Sequence, residues 1–284
     1  MKKFLLMVGN IALYLGIFYA LMYLLRSTYN YEATFKFAKY LEVNPSMFVA
    51  VLFSSILVVY VIVFWIKSLI WRNRKQSLFA ASGFRKLGLK DAGLMFAMGL
   101  AGCLFSIGLI EIDYVAERFP SIPHLVDDLI RGDSIWLVVL GAGFIGPIYE
   151  EILFRGLIYG QFRNVMPMYA ALVLQALVYA YFQPSLALSV IGLGSGFIYA
   201  IMYVRLSSLW APIIIQVTAM SLIFVAKDAG WYDAIDKLGE PALYVITILS
   251  LLVFLAIAFS VWRRGGGELT ITKYTKPTAA EKGM

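Results

Sequence analysis

The sequence predicts an all-α protein, a polytopic membrane bundle of about eight transmembrane helices. Three observations carry that prediction. Of 284 residues, 61% are hydrophobic and only 14% charged, against about a quarter charged in soluble domains. The mean hydropathy is +0.81. Several apolar runs approach or exceed the roughly 20 residues needed to cross a bilayer.

In chain order, spans are expected near 4–25, 46–70, 91–111, 135–160, 167–183, 186–204, 207–226 and 242–262. The first begins after Lys2 and Lys3. Its apolar stretch is too long for a signal-peptide core, and no small-residue cleavage site follows, so it reads as a retained helix. Spans five and six are divided only by Gln183, Pro184 and Ser185, which predicts a tight helical hairpin broken at the proline. Three segments follow: N-terminal helices and loops over 1–130, a core over 131–262, and a flexible tail over 263–284.

Charge sets the expected orientation. The loop "WRNRKQSLFAASGFRKLGLKD" carries Arg72, Arg74, Lys75, Arg85, Lys86 and Lys90, and Arg263 and Arg264 follow the last span. The loop with Asp113, Glu117, Asp127 and Asp128 is acidic. The positive-inside rule then puts both termini in the cytoplasm; a bacterial plasma membrane is the expected location. The net charge of +7 reads as orientation and headgroup contact, with no nucleic-acid partner expected. Cys103 is the single cysteine, so no internal disulfide forms. Trp65, Trp71, Trp136, Trp231 and Trp262 stand near span ends, as interfacial aromatics do. Gly192, Gly194 and Gly196 predict close helix contact.

The fourth span contains "EEILFRG", which places Glu150, Glu151 and Arg155 within an apolar helix. Each such charge costs about 2.5–3.5 kcal/mol at mid-membrane even on the mild insertion scale. Glu151 and Arg155 are four apart and share a face. Glu150 points about 100° away. The pattern predicts a Glu151–Arg155 ion pair and an inward-facing Glu150. Polar glue between helices is the alternative to a functional site.

These residues resemble the EExxxR motif of the CPBP family (CAAX proteases and bacteriocin-processing enzymes, also called Abi). "LWAPI" at 209–213 lies where that family has it, and the resemblance spans about 140–225. It implies a bundle of about eight helices and a glutamate-dependent intramembrane endopeptidase. In the family, the first glutamate and an FxxxH histidine activate water, while an HxxxN histidine and asparagine stabilise the oxyanion. Carried over, Glu150 is the base. "YAYFQ" puts Tyr179 and Gln183 in the second motif, and "QVTAM" puts Gln216 and Met220 in the third. His124, the one histidine, lies in the acidic loop and matches neither motif.

An amide cannot take up a proton near pH 7, so Gln183 is no base, and losing a general base typically costs about 10²–10⁴ in rate. Gln216 keeps N–H donors. Met220 has none, and one lost oxyanion donor costs about 10²–10³. Too few ligand-type side chains remain for a metal, and no cofactor is expected. A hydrogen-bonded Glu150–Gln183–Gln216 cluster is expected instead, reached if the short fifth helix is tilted or partly re-entrant. The sequence thus predicts a CPBP-like membrane protein, catalytically impaired. Beyond the lipid bilayer, its partner would be a membrane or cell-envelope protein. The alternative is an endopeptidase that cuts a peptide substrate with Glu150 as base.

Overall fold

The computed structural model describes residues 1–70, 77–132 and 134–264. Arg72, Arg74 and Lys75 of the basic loop, Trp71, and residues 265–284 of the tail expected over 263–284 lie outside the described residues; Arg263 itself ends the last helix. The described chain is helical without strands.

Eight apolar helices appear where the sequence puts them. They are α1 (Lys2–Ser27), α3 (Pro45–Ile70), α4 (Leu89–Glu111), α5 (Ile135–Arg163), α6 (Met168–Tyr181), α7 (Leu186–Leu206), α8 (Trp210–Asp228) and α9 (Glu240–Arg263). Between the first two, α2 (Glu32–Val43) folds back along the bundle end. Seven of the apolar helices are long enough to cross a membrane, and α6 is the exception. Its 14 residues rise about 21 Å, short of a hydrocarbon core about 30 Å thick. The chain is an integral, multi-pass membrane protein.

The loops hold more order than polar composition suggests. Helical turns occur at Asp113–Arg118, Ser121–Ile130 and Trp231–Asp236. The acidic loop is therefore a docked element, held because Ile122 and Val126, four apart, bury into a cluster with Ile107 and Phe224. His124, on the same helix, stays exposed.

Helix α4 packs between α8 and α9, and α6 pairs with α7 across the Pro184 break. Ser185 starts α7 by accepting the Leu188 N–H at 3.3 Å, a side-chain cap on an otherwise orphaned donor. The largest apolar cluster joins α1, α3, α5 and α6 through Tyr60, Tyr149, Phe154 and Tyr179.

Helix α5 departs from α geometry twice. Val139–Ile145 and Ile152–Ile158 are π-helical and bracket an ordinary α turn, Gly146–Glu151. Such wide turns cluster at functional sites. The first is wedged against α3: a Cβ on Gly141 would clash with the Ser46 carbonyl oxygen. Only glycine permits that approach. The turn carrying both glutamates is thus fixed from both sides.

The segment before α4 straps the bundle end. Ser208 Oγ donates to the Arg85 carbonyl at 2.6 Å, Leu209 N–H to Gly83 at 3.0 Å, and Tyr203 Oη to Ser82 at 3.2 Å. Ser82 packs against Gly156, one residue past Arg155.

Candidate functional site

The α turn of α5 sends its two glutamates in different directions. Glu151 and Arg155 are both fully buried and pair at 2.8 Å. The spacing-based ion pair is present as expected. Its surroundings are less expected. The Arg155 guanidinium lies 4.3 Å from the Tyr179 ring centroid and 5.4 Å from that of Tyr199. A delocalised cation between aromatic faces gains quadrupole attraction where water cannot solvate it. That matters because Glu151 Oε2 and Arg155 Nε and Nη2 have no hydrogen-bonding partner among the described residues.

Glu150 faces the interior between α5, α6 and α8 and keeps partial exposure. Its Oε2 accepts two hydrogen bonds, from Gln216 Nε2 at 2.7 Å and from Tyr179 Oη at 3.0 Å. Tyr179 is therefore shared: its ring stacks on Arg155 and its hydroxyl holds Glu150. One side chain couples the ion pair to the free carboxylate.

The structure brings Glu150, Glu151, Arg155 and Gln216 together. It does not bring Gln183. That amide sits beyond the end of α6, where Nε2 reaches back to the Tyr179 carbonyl at 3.5 Å and its chain lies on Gly192. The expected Glu150–Gln183–Gln216 cluster is in fact Glu150–Tyr179–Gln216. The reason is reach: Tyr179 lies one helical turn earlier, and a phenol extends far enough to deliver its hydroxyl. Met220 is also elsewhere. It packs among apolar side chains around Ile107 and Phe224, although it follows Gln216 by one turn of α8.

Sequence reasoning places Tyr179 in the second motif without giving it a role, and passes over Tyr199. The signal for Tyr179 was present, since tyrosine in place of the motif phenylalanine adds one donor. For Tyr199 there was none, because one tyrosine on an apolar helix looks like any other. Gly196, expected to allow close helix contact, does so at this site. A Cβ there would meet Tyr179 Cδ1 at 2.8 Å and Arg155 Nη2 at 3.6 Å. By contrast Gly194 faces open space.

Residues 132–222 match the family model described as type II CAAX prenyl endopeptidase Rce1-like. The core resembles that peptidase family. Over 148 residues the chain is also 25% identical to a protein of Bacillus subtilis (strain 168) described as "Putative membrane peptidase YdiL". That alignment takes in 49% of this chain, which spans 60% of the length of the relative. No solved structure matches. The family match contains Glu150, Arg155, Tyr179, Gln183, Gln216 and Met220, so the motif resemblance and the family model fall on the same helices.

Chemically, the site offers one carboxylate, one phenol and one amide. Among the described residues, no titratable side chain other than Tyr179 hydrogen-bonds to Glu150. Nor, among the described residues, is any group of three or more His, Cys, Asp or Glu arranged to hold a metal. The two glutamines should behave differently on substitution. Gln216→Leu removes a charge-assisted donor from Glu150 and should cost about 1.5–3 kcal/mol. Gln183→Leu touches only a long backbone contact and should stay within about 0.5 kcal/mol of wild type. Denaturant titration in mixed micelles separates the two; equal losses would put Gln183 back in the cluster.

Proposed function

We propose that this chain is a CPBP-type membrane protein whose peptidase chemistry is lost, and which uses the inherited core to bind and regulate another membrane or cell-envelope protein. The observation that supports this most is the way Glu150 is held. Both of its recorded partners donate to one oxygen, and neither is a base that takes a proton near pH 7. A water on Glu150 would lack the second base, a loss of about 10²–10⁴ in rate. One of the two Gln216 N–H donors is already used on Glu150, and Met220, which has no donor, lies in an apolar cluster. Both termini on the cytoplasmic side of a bacterial plasma membrane belong to the same proposal, on the charge of the loops.

A second reading keeps the enzyme. Glu150 retains partial exposure, and a carboxylate oriented by two donors is a reasonable lone base. The substrate would then be a lipidated or leader peptide; the family model's description names a CAAX prenyl endopeptidase. The test is hydrolysis. Full-length protein reconstituted in liposomes is expected to leave prenylated C-terminal peptides and leader peptides intact, with wild type and Glu150→Ala indistinguishable by mass spectrometry. Cleavage that vanishes in Glu150→Ala would overturn the binding reading and establish the enzyme.

A further inference from the structure

Outside the peptidase-like core, the last turn of α1, the buried side of α2 and the first turn of α3 line an open hollow of about 550 Å³, within the range of small-molecule sites. Its walls are apolar, with Leu25, Leu41 and Phe48 among them. Two charged side chains line it as well, Arg26 and Glu42. Glu42 Oε2 accepts the Tyr29 hydroxyl at 2.6 Å, which fixes the carboxylate at the rim. Arg26 has no carboxylate within ion-pairing distance among the described residues. A greasy hollow thus carries an oriented anion and an unmatched cation that do not satisfy each other.

Helix α2 tells where this hollow opens. Only Ala38 and Leu41 are buried. Phe35, Phe37 and Tyr40 are 47%, 43% and 45% exposed, interleaved with exposed Lys36 and Lys39. Aromatic side chains and lysines alternating on a short helix of this kind belong in the membrane–water interface, with the rings sunk to headgroup depth. The helix lies between the end of one span and the start of the next, so the cavity sits at headgroup level and faces lipid.

We infer that this cavity is a binding site for one bilayer phospholipid with an ethanolamine headgroup. The phosphate pairs with Arg26, the primary ammonium donates to Glu42, and acyl chain fills the apolar wall. The charge pattern selects the headgroup. A glycerol headgroup brings a net negative charge against Glu42 and no cation to meet it. A choline headgroup has a cation but no N–H to donate, and such cations are held by aromatic cages rather than by one carboxylate. Ethanolamine supplies both a charge and donors.

The experiment uses the full chain. Wild type is reconstituted in bilayers of equal phosphatidylethanolamine, phosphatidylcholine and phosphatidylglycerol, released into mild detergent, and its retained lipid counted by native mass spectrometry. Phosphatidylethanolamine is expected to exceed each of the others about tenfold, as a charge-assisted hydrogen bond implies. Arg26→Ala and Glu42→Gln should each lower that retention about tenfold, and Glu42→Lys should shift it to phosphatidylglycerol. Equal retention of the three lipids by wild type would overturn the inference, and that reading needs no variant to fold. So would an ethanolamine preference that survives both Arg26→Ala and Glu42→Gln in proteins of wild-type melting temperature.

Discussion

Replacing Glu151 by leucine is expected to lower the stability of the bundle by about 3–5 kcal/mol, the largest single loss predicted for this chain. The reason is desolvation. Glu151 and Arg155 are both fully buried at 2.8 Å, so removing the carboxylate leaves a buried guanidinium with no other ion-pair partner among the described residues. The aromatic faces of Tyr179 and Tyr199 offset part of this, at about 2 kcal/mol for a desolvated contact, which is less than the attraction lost. The double variant Glu151→Leu with Arg155→Met removes both charges and keeps most of the volume. It should recover much of the loss, because replacing a buried pair by apolar groups is often neutral or better. Unfolding in mixed micelles across the four proteins gives the coupling directly. If the double variant is no more stable than Glu151→Leu alone, the charge is not what destabilises, and the helix would be failing for a packing reason instead.

That ion pair was legible before any coordinates because it depends on one local rule, the four-residue repeat of a helix face. The apolar helices were legible for a similar reason, since a bilayer imposes a length that hydropathy records. What stayed hidden depends on contacts between distant segments. Gln183 and Tyr179 sit on the same helix end, and nothing in their spacing says which one reaches Glu150. The answer depends on where α6 stops and on the length of a phenol against that of an amide. The two π turns of α5 were hidden too, because they arise where Gly141 and Gly156 meet Ser46 and Ser82 of other segments. The short helices Ser121–Ile130 and Trp231–Asp236 escape any reading tuned to spans of 20 residues, yet they follow the same periodic burial on a smaller scale. Composition and charge run along the chain, whereas the site is assembled across it.

Gly196→Val tests that assembly most directly. Valine recovers a few tenths of a kcal/mol of helix propensity relative to glycine. Against that, its Cβ would stand 2.8 Å from Tyr179 Cδ1, and overpacking of a filled interior costs about 1–3 kcal/mol. The clash therefore wins, and the variant should be less stable by about 1–2 kcal/mol on these principles. The ring cannot move without consequence, because the same tyrosine stacks on Arg155 at 4.3 Å and holds Glu150 at 3.0 Å. Displacing it disturbs both carboxylates at once. Two comparisons isolate the cause. Gly194→Val on the same helix meets nothing within 4 Å and should match wild type or exceed it slightly, which removes helix propensity as the explanation. Tyr179→Ala should relieve the clash, so Gly196→Val ought to cost much less in that background than in wild type. Coupling near zero between positions 179 and 196 would mean that the ring slides away freely, and the link that Tyr179 makes between the buried ion pair and Glu150 would then carry no energy.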